Sequence, residues 1–500
     1  MRKKQKRSKN SIFPLPIDQL LETIQSKFEG NDDLKISKHE HNGKKLVLFY
    51  IEYQADSDML QNYLLRPILH IKKDWTNDEL INHIPLTSPN KETELEKILE
   101  GLIVGHVFIY VEGESEAVSY SIVKKETRSL EKAETESLVL GPKISFTESL
   151  KTNLNIIRWR IKSTDLVVEE LKVGKTVPAG VRLVYMKSIA NEVDVNTMRQ
   201  RIEDLDIDEV EDSIVLKQYL EDSQNNLFPQ FDSTELPDRF TYGLTKGKIG
   251  VLMENSPTGI VAPATLFSYL ESTEDLYMRW QAGSFLRILR FMSMFFSVLV
   301  TPAYVAVVTY QYGIIPTQLL ISLGQSRAAV PFPPLIEALI LEFLIELLRE
   351  AGARLPTKVG QTMGIVGGIV IGQAAVEAGL TSNILIIVIA MSALASFTTP
   401  SYLLGTTIRL IRFPMIVLAG IFGLYGIIFG ICFLIIHLLN LKSLGRPYLV
   451  PLYPLQLKDF NKVFFRTPFN HLNKRARSYR PKDLIRFSKQ EAEKRKDIDE

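Results

Sequence analysis

Two short motifs in the chain resemble parts of known chemical sites. Gly174-Lys175-Thr176 matches the end of a phosphate-binding loop, whose glycines let the backbone wrap around phosphates. Glu169 stands where the first glycine of that loop would be, so we exclude a nucleotide site here. His39-Glu40-His41 lacks the spacing of metal ligands on a helix, and we interpret it as an exposed loop. With no Gly-x-Ser-x-Gly motif and no paired cysteines, the sequence predicts a protein that is not an enzyme and holds no metal or cofactor.

Acidic residues inside an apolar segment are a stronger signal. Leu335 to Ala351 predicts a helix that carries Glu342, Glu346 and Glu350 on one stripe, with apolar residues elsewhere. Such a helix lies in the membrane interface or lines a cavity. Glu337 falls on the apolar face, where a carboxylate at membrane depth is costly. We expect it to be protonated, paired with Arg349 or Arg354, or functional. Glu342, Glu346 and Arg349 are candidates for signal coupling.

A second apolar segment is rich in small residues. Met363 to Leu380 contains Gly364, Gly367 and Gly368, together with Gln373, which looks buried, and Glu377 near its end. Small side chains let helices pack closely in lipid, which is one explanation. The other is a helix lining a pore, where small side chains leave room and a few polar groups meet ions. With Glu337, these five residues are candidates for an ion path or its gate.

Hydropathy separates a water-soluble part of the chain from an apolar part. Alternating helix and strand patterns predict two small α/β units, residues 1–135 and 141–285. In the second unit, Phe146 to Lys162 predicts a helix whose late cation Arg158 suits the C-terminal dipole. Residues 286–440 predict a helical membrane domain, and residues 441–500 a basic tail. The fold class is therefore an α/β soluble N-terminal region followed by an all-α multi-span membrane domain and a basic C-terminal tail.

Charge distribution indicates how the apolar part crosses a membrane. From Lys442 onward there are 15 Lys and Arg against 7 Asp and Glu, a net charge of about +8. Such a tail is typical of the cytoplasmic side, where it either lies on anionic lipid or remains solvated. The basic start lacks a following apolar stretch, so we expect the soluble region in the cytoplasm too. Termini on the same side require an even number of spans.

Four spans satisfy this requirement, with the Glu-bearing helix as a non-spanning element; five or six remain open. The four expected spans are Phe291 to Tyr310, Met363 to Leu380, Ile384 to Thr399 and Pro414 to Asn440. This arrangement leaves Arg409 and Arg412 on the outer side, against the local charge rule. The last span contains Gly420, Gly423, Gly426 and Gly430 on one side, which indicates close helix packing.

Several segments, in order, resemble the A subunits of GerA-type spore germination receptors. They are GPKISFTESLKTNLNIIRWRIK at 141–162, VPFPPLIE at 330–337, ELLREAGARLP at 346–356, ASFTTP at 395–400 and PYLVPLYPLQL at 447–457. The resemblance implies a protein of the inner spore membrane that works with a transporter-like B subunit and a lipoprotein C subunit. It also implies contact with membrane lipid and none with nucleic acid.

The same resemblance implies that nutrient detection leads to ion release and germination. The A subunit would form or gate the ion path, as a ring of identical copies. Two alternatives remain open: a non-conducting scaffold that transmits the state of its partners, and an auxiliary germination paralogue that recognises no nutrient.

Overall fold

The computed structural model describes residues 16–124, 133, 136, 140–354, 372–468 and 472–488. The first unit is built on a five-stranded antiparallel sheet in the order β1-β2-β4-β5-β3. The strands are β1 (Leu34–His41), β2 (Lys44–Ile51), β3 (Asn90–Glu92), β4 (His106–Val111) and β5 (Ala117–Ser121). The helices are α1 (Ile17–Lys27), α2 (Ser57–Met59), a π-helical stretch (Leu60–Leu65), α3 (Arg66–Leu69), α4 (Asn77–His83) and α5 (Leu95–Val104).

Both faces of this first sheet are covered by helices. Side chains alternate across a strand, so Val47 and Phe49 of β2 pack with α1 and α5, whereas Leu46 and Leu48 pack with α3 and α4. A strand that is buried on both faces needs apolar residues at consecutive positions. The continuous apolar run of β2 is explained in this way.

The second unit repeats this plan with the strand order β6-β7-β9-β10-β8, again antiparallel. Its strands are β6 (Leu166–Val173), β7 (Ala179–Met186), β8 (Asp232–Thr234), β9 (Ile249–Met253) and β10 (Gly259–Ala262). Its helices are α6 (Leu150–Arg160), α7 (Glu192–Glu203), α8 (Ser213–Leu220), α9 (Pro237–Lys246) and α10 (Glu274–Tyr277). Helices α7 and α8 cover one face, while α6 and α9 cover the other and share one core with α1 and α5. The two predicted α/β sheets are therefore confirmed, and they are joined through α5 and α6.

The two short motifs fall on strands and turns. His39-Glu40-His41 lies at the end of β1, so its interpretation as a loop was wrong. Among the described residues, no group of three or more His, Cys, Asp or Glu could hold a metal ion. Gly174-Lys175-Thr176 lies in the turn between β6 and β7, where Gly174 has a φ of 99°. A strand follows this turn, whereas a phosphate-binding loop is followed by a helix.

Most of the remaining chain is helical. The helices are α11 (Trp280–Thr309), α12 (Thr317–Arg327), α13 (Pro334–Arg354), α14 (Gly372–Glu377), α15 (Asn383–Phe397), α16 (Tyr402–Phe422) and α17 (Leu424–Asn440). Helix α11 is central and packs against α13, α15 and α16. By length and composition, α11 and α16 could each cross a membrane, and α15 and α17 are shorter apolar helices.

The predicted span from Pro414 to Asn440 is not one helix. The chain reverses at Gly423, whose φ of 62° and ψ of −142° suit glycine, and α16 and α17 pack side by side as a hairpin. Gly426 faces the backbone of Leu418, and Gly430 faces Met415, so neither position has room for a side chain. The expected role of these glycines in close packing is confirmed, but between the arms of a hairpin. Of the other expected spans, Phe291 to Tyr310 and Ile384 to Thr399 are helical, whereas the first half of Met363 to Leu380 lies outside the described residues.

The basic tail folds back onto the second unit over its described residues. It forms a short hairpin of β11 (Lys442–Ser443) and β12 (Arg446–Pro447), followed by α18 (Leu457–Phe464). The Arg446 guanidinium pairs with Asp194 of α7 at 2.5 Å, and the Tyr448 hydroxyl donates to the carbonyl of Pro229 at 2.8 Å. A solvated, free tail is therefore wrong for this stretch, because buried polar contacts hold it.

Candidate functional site

Helix α13 carries the carboxylates that the sequence singled out, and the first of them is fully buried. Glu337 is 1% exposed. Its Oε2 accepts from Arg327 Nη1 at 2.6 Å, and its Oε1 accepts from the Ser382 N–H at 2.6 Å and the Thr381 hydroxyl at 3.0 Å. The expected partners Arg349 and Arg354 were wrong, because α12 folds back to bring Arg327 against the start of α13. Glu337 thus joins α12, α13 and the start of α15.

Five residues further along α13, Glu342 forms a buried ion pair. Its Oε2 accepts from Arg412 Nη1 of α16 at 2.7 Å, and both side chains are 3% exposed. Two hydroxyls of α11 complete the cluster. Thr301 donates to Glu342 Oε1 at 2.9 Å, and Arg412 Nη2 donates to Ser297 Oγ at 2.6 Å. At Glu342 the predicted acidic stripe therefore faces the centre of the helical packing.

Two further arginines surround Glu346. Arg409 Nε of α16 lies 2.9 Å from Glu346 Oε1, and Arg349 Nη1 lies 3.7 Å from Oε2. Arg349 also donates to the Ser396 hydroxyl at 2.9 Å and lies over the ring of Phe397, 4.4 Å from its centroid. Arg349 therefore connects α13 to α15, and Glu346 connects α13 to α16.

Together these contacts form a polar layer inside the apolar helices, which we call the charged layer: Glu337, Glu342, Glu346, Arg327, Arg349, Arg409 and Arg412. Each carboxylate of the layer has at least one guanidinium within ion-pair distance. Isolated charges at membrane depth are costly, so pairing makes this arrangement tolerable. The layer gives the apolar helices a set of fixed contacts that depend on charge.

The small-residue candidates are only partly described. Gly364, Gly367 and Gly368 lie outside the described residues. Gln373 and Glu377 lie on α14, where Gln373 Nε2 donates to Glu377 Oε1 at 2.9 Å on an exposed face. The expectation that Gln373 is buried was wrong within a single copy of the chain, because the helix lies at the surface of the helical bundle.

Sequence reasoning missed the arginine partners, although a signal was present. Arg409 and Arg412 interrupt an apolar helix three positions apart, and Glu342 and Glu346 stand four positions apart on another. Residues three or four apart share a helix face, so the two pairs could have been matched. The polar partners Ser297 and Thr301 had no such signal, because small hydroxyls are common in apolar helices.

A second site lies between the two sheets. A cleft of about 390 Å³ is lined by Asp33 and Tyr53 of the first unit and by Glu148, Lys151 and Arg182 of the second. Behind these lining residues, Arg158 of α6 is completely buried and lies 2.5 Å from Asp33 Oδ2 and 3.2 Å from the Tyr53 hydroxyl. Burial alone would lower the pKa of Arg158, but Tyr53 and Asp33 raise it. Arg158 thus links the two units. A cation that only interacted with the C-terminal dipole of α6 would not make these contacts.

One atom of the cleft is left unsatisfied. Asp33 Oδ1 is buried and has no hydrogen-bond partner in the described part of the chain. Buried polar atoms are normally paired, so an oxygen without a donor at the lining of the cleft is unusual. The volume falls in the range of about 300–1,000 Å³ that is usual for small-molecule sites.

The chain matches a known protein family over most of its length. The Bacillus/Clostridium GerA spore germination protein family matches residues 22–478. The chain belongs to this family. The resemblance seen in the sequence is confirmed, and the match includes both sheets, the charged layer and most of the tail.

Two named relatives agree with the family assignment by sequence. The spore germination protein GerQA of Bacillus cereus is 43% identical over 458 residues, covering 91% of each chain. Spore germination protein KA of Bacillus subtilis is 36% identical, covering 91% of this chain and 84% of its own. The crystal structure of the N-terminal domain of the A subunit of the Bacillus megaterium germinant receptor GerK3 aligns with a TM-score of 0.41 and 28% identity, over 52% of this chain and 98% of that one.

Proposed function

We propose that the chain is the A subunit of a nutrient germinant receptor in the inner membrane of the spore. In this role it couples nutrient detection to ion release, and its helical region forms or gates the ion path as a homo-oligomer. A transporter-like B subunit and a lipoprotein C subunit are its proposed partners. The soluble units and the tail face the cytoplasm. Family membership, with relatives named as spore germination proteins, supports the role in germination.

The observation that carries the ion-path proposal is the charged layer. Helix α13 holds buried carboxylates against α11 and α16, each through paired groups rather than through apolar contact alone. We infer that a rotation or shift of α13 would break these pairs together, which would give the helical region the second arrangement that a gate requires. The small-residue segment that contains Gly364, Gly367 and Gly368 follows α13 directly and is the proposed pore lining.

Cation flux through liposomes that contain the purified full-length protein tests the proposal. We expect flux from the wild type, and we expect Gly368→Leu to abolish it by filling the pore. Gly324→Leu is the matched control, because a Cβ atom at Gly324 has no neighbouring atom within 4 Å. Flux that survives Gly368→Leu in a folded oligomer would contradict the pore assignment. No flux from a folded wild-type oligomer, with its partner subunits present, would favour the non-conducting scaffold.

The cleft between the sheets supports a second role, which is direct binding of a small molecule with an ammonium group. The carboxylates that line the cleft outnumber its cations, and Oδ1 of the lining residue Asp33 has no hydrogen-bond partner among the described residues. Melting of the full-length protein with amino acids, sugars and nucleosides tests this role. A stabilising compound should act less on Glu148→Gln, which alters the cleft, than on Glu100→Gln, which alters an exposed site elsewhere. Equal effects on the two variants would exclude the cleft as the site.

A further inference from the structure

A basic cavity lies where the second unit, the start of α11 and the tail meet. Its volume is about 70 Å³, several times the roughly 10–15 Å³ that a single water molecule requires. Seven Lys and Arg side chains line it, against two carboxylates, Glu271 and Asp459. We call it the basic cavity.

The two carboxylates are already engaged by cations and amides of their own. Lys246 Nζ lies 2.5 Å from Glu271 Oε2, and Arg287 lies 3.8 Å from Oε1. Burial alone would raise the pKa of Glu271, but Lys246 and Arg287 lower it to about 2. Asp459 accepts from Lys462 at 3.0 Å and from the Arg477 N–H at 2.5 Å. Neither carboxylate can therefore balance the charge of the other cations.

Two arginines of the cavity donate to backbone carbonyl groups. These carbonyls satisfy the N–H groups of the arginines but do not neutralise their charge. Arg466 donates to the carbonyl of Leu276 at 3.0 Å, and Arg475 donates to that of Thr245 at 3.0 Å, in addition to its ion pair with Asp483 at 3.3 Å. At the exposed mouth, Lys474 and Arg486 have no carboxylate within ion-pair distance among the residues that the structure describes. An anion at this mouth would meet two cations at once.

The position of the basic cavity along α11 indicates where that anion comes from. Helix α11 has 30 residues and is therefore about 45 Å long at roughly 1.5 Å per residue. The hydrocarbon core of a bilayer is about 30 Å thick, so part of α11 lies outside it. Arg287, which lines the cavity, belongs to the first third of α11, where Trp280 is 44% exposed. Exposed Trp near a charged helix end is typical of the lipid headgroup level.

We propose that the basic cavity binds the phosphate group of an anionic phospholipid of the membrane that holds α11. Lys474 and Arg486 contact the phosphate oxygens by charge-assisted hydrogen bonds, and the acyl chains extend along α11. The lipid would then touch the tail and the first long helix together. This inference rests on the membrane location of α11 and is independent of ion conduction.

Calorimetric titration of the full-length protein in neutral detergent tests the proposal. The ligands are dioctanoyl-phosphatidylglycerol, dioctanoyl-phosphatidylcholine and sodium phosphate. We expect phosphatidylglycerol to bind most tightly. Lys474→Gln with Arg486→Gln should weaken it by roughly 30-fold, which is about 5-fold for each cation at an anionic surface. Lys474→Arg, which keeps the charge, should retain the affinity, and an unchanged melting temperature of the double glutamine variant checks that it is folded.

The matched control is Lys45→Gln with Lys72→Gln, which removes the same charge from exposed positions of the first unit. Equal weakening in the two double variants would mean diffuse attraction and would overturn the site. Equal binding of phosphatidylcholine would also overturn it, because that headgroup carries no net charge. Saturation by sodium phosphate that blocks the lipid would assign the cavity to free phosphate instead.

Discussion

The buried pair of Glu342 and Arg412 permits a quantitative prediction. Both side chains are 3% exposed, and the charged atoms lie 2.7 Å apart. Arg412→Met keeps a long side chain but leaves the Glu342 carboxylate buried without its cation. Removing one partner of a buried ion pair costs about 3–5 kcal/mol. We therefore expect Arg412→Met to lower the free energy of unfolding by about that amount.

The double variant Glu342→Gln with Arg412→Met separates charge from packing. It leaves no uncompensated charge, and the glutamine can still accept from Thr301, so we expect it to recover most of the loss. The coupling energy between the two sites should be about 2–4 kcal/mol. Residues in contact usually couple by about 0.5–3 kcal/mol, so this pair is expected at the strong end of that range. Denaturant unfolding of the protein in detergent, followed by the helical circular dichroism signal, measures the two single variants, Glu342→Gln and Arg412→Met, and the double variant.

An exposed pair provides the control for this experiment. Glu350 and Arg354 lie 2.6 Å apart, but their side chains are 59% and 79% exposed. Surface pairs on a helix contribute about 0.3–0.5 kcal/mol, so Arg354→Met should change stability by no more than that. The argument fails if Arg412→Met and Arg354→Met cost the same. It also fails if the double variant at Glu342 and Arg412 loses the sum of its single losses.

Three further predictions concern the hairpin, the link between the units and a buried lysine. Gly423→Ala should lower the free energy of unfolding by about 1–3 kcal/mol, because the backbone angles at Gly423 suit glycine. Gly324→Ala, at an open helical position, should raise the free energy of unfolding by up to about 1 kcal/mol. Equal effects of the two substitutions in unfolding experiments would contradict this. Arg158→Met should cost about 3–5 kcal/mol by leaving Asp33 without its buried cation. Hydrogen exchange should then accelerate in β6 and α6, and unchanged exchange there would argue against the link. Burial lowers the pKa of Lys248 from 10.5 to about 8, so between these values the unfolded chain binds more protons and stability rises with pH. Lys248→Met should remove this rise and stabilise the protein at pH 7 by about 3 kcal/mol. A melting temperature that still rises from pH 8 to pH 10.5 in this variant would refute the assignment.

Much of the charged layer could have been inferred from the sequence by pairing the carboxylates of α13 with the arginines of α16. The sequence singled out Glu337, Glu342 and Glu346 because carboxylates are rare in apolar segments. It also showed Arg409 and Arg412 as exceptions to the charge rule, and the structure explains both facts by pairing them. Arg327 could not be anticipated as the partner of Glu337. That pairing depends on the reversal between α12 and α13, which places residues ten positions apart in contact.

Sequence by itself determined the division of the chain into two α/β units, an apolar helical region and a basic end, because periodicity and charge are local properties. It also determined the family, through ordered segments spread over most of the chain. Only the tertiary structure decided which charges meet. The hairpin at Gly423 depends on a backbone conformation that the continuous apolar run from Pro414 to Asn440 did not reveal. The docked tail and the link at Arg158 join residues more than a hundred positions apart. Such contacts follow from the packing of whole elements, which no local pattern encodes.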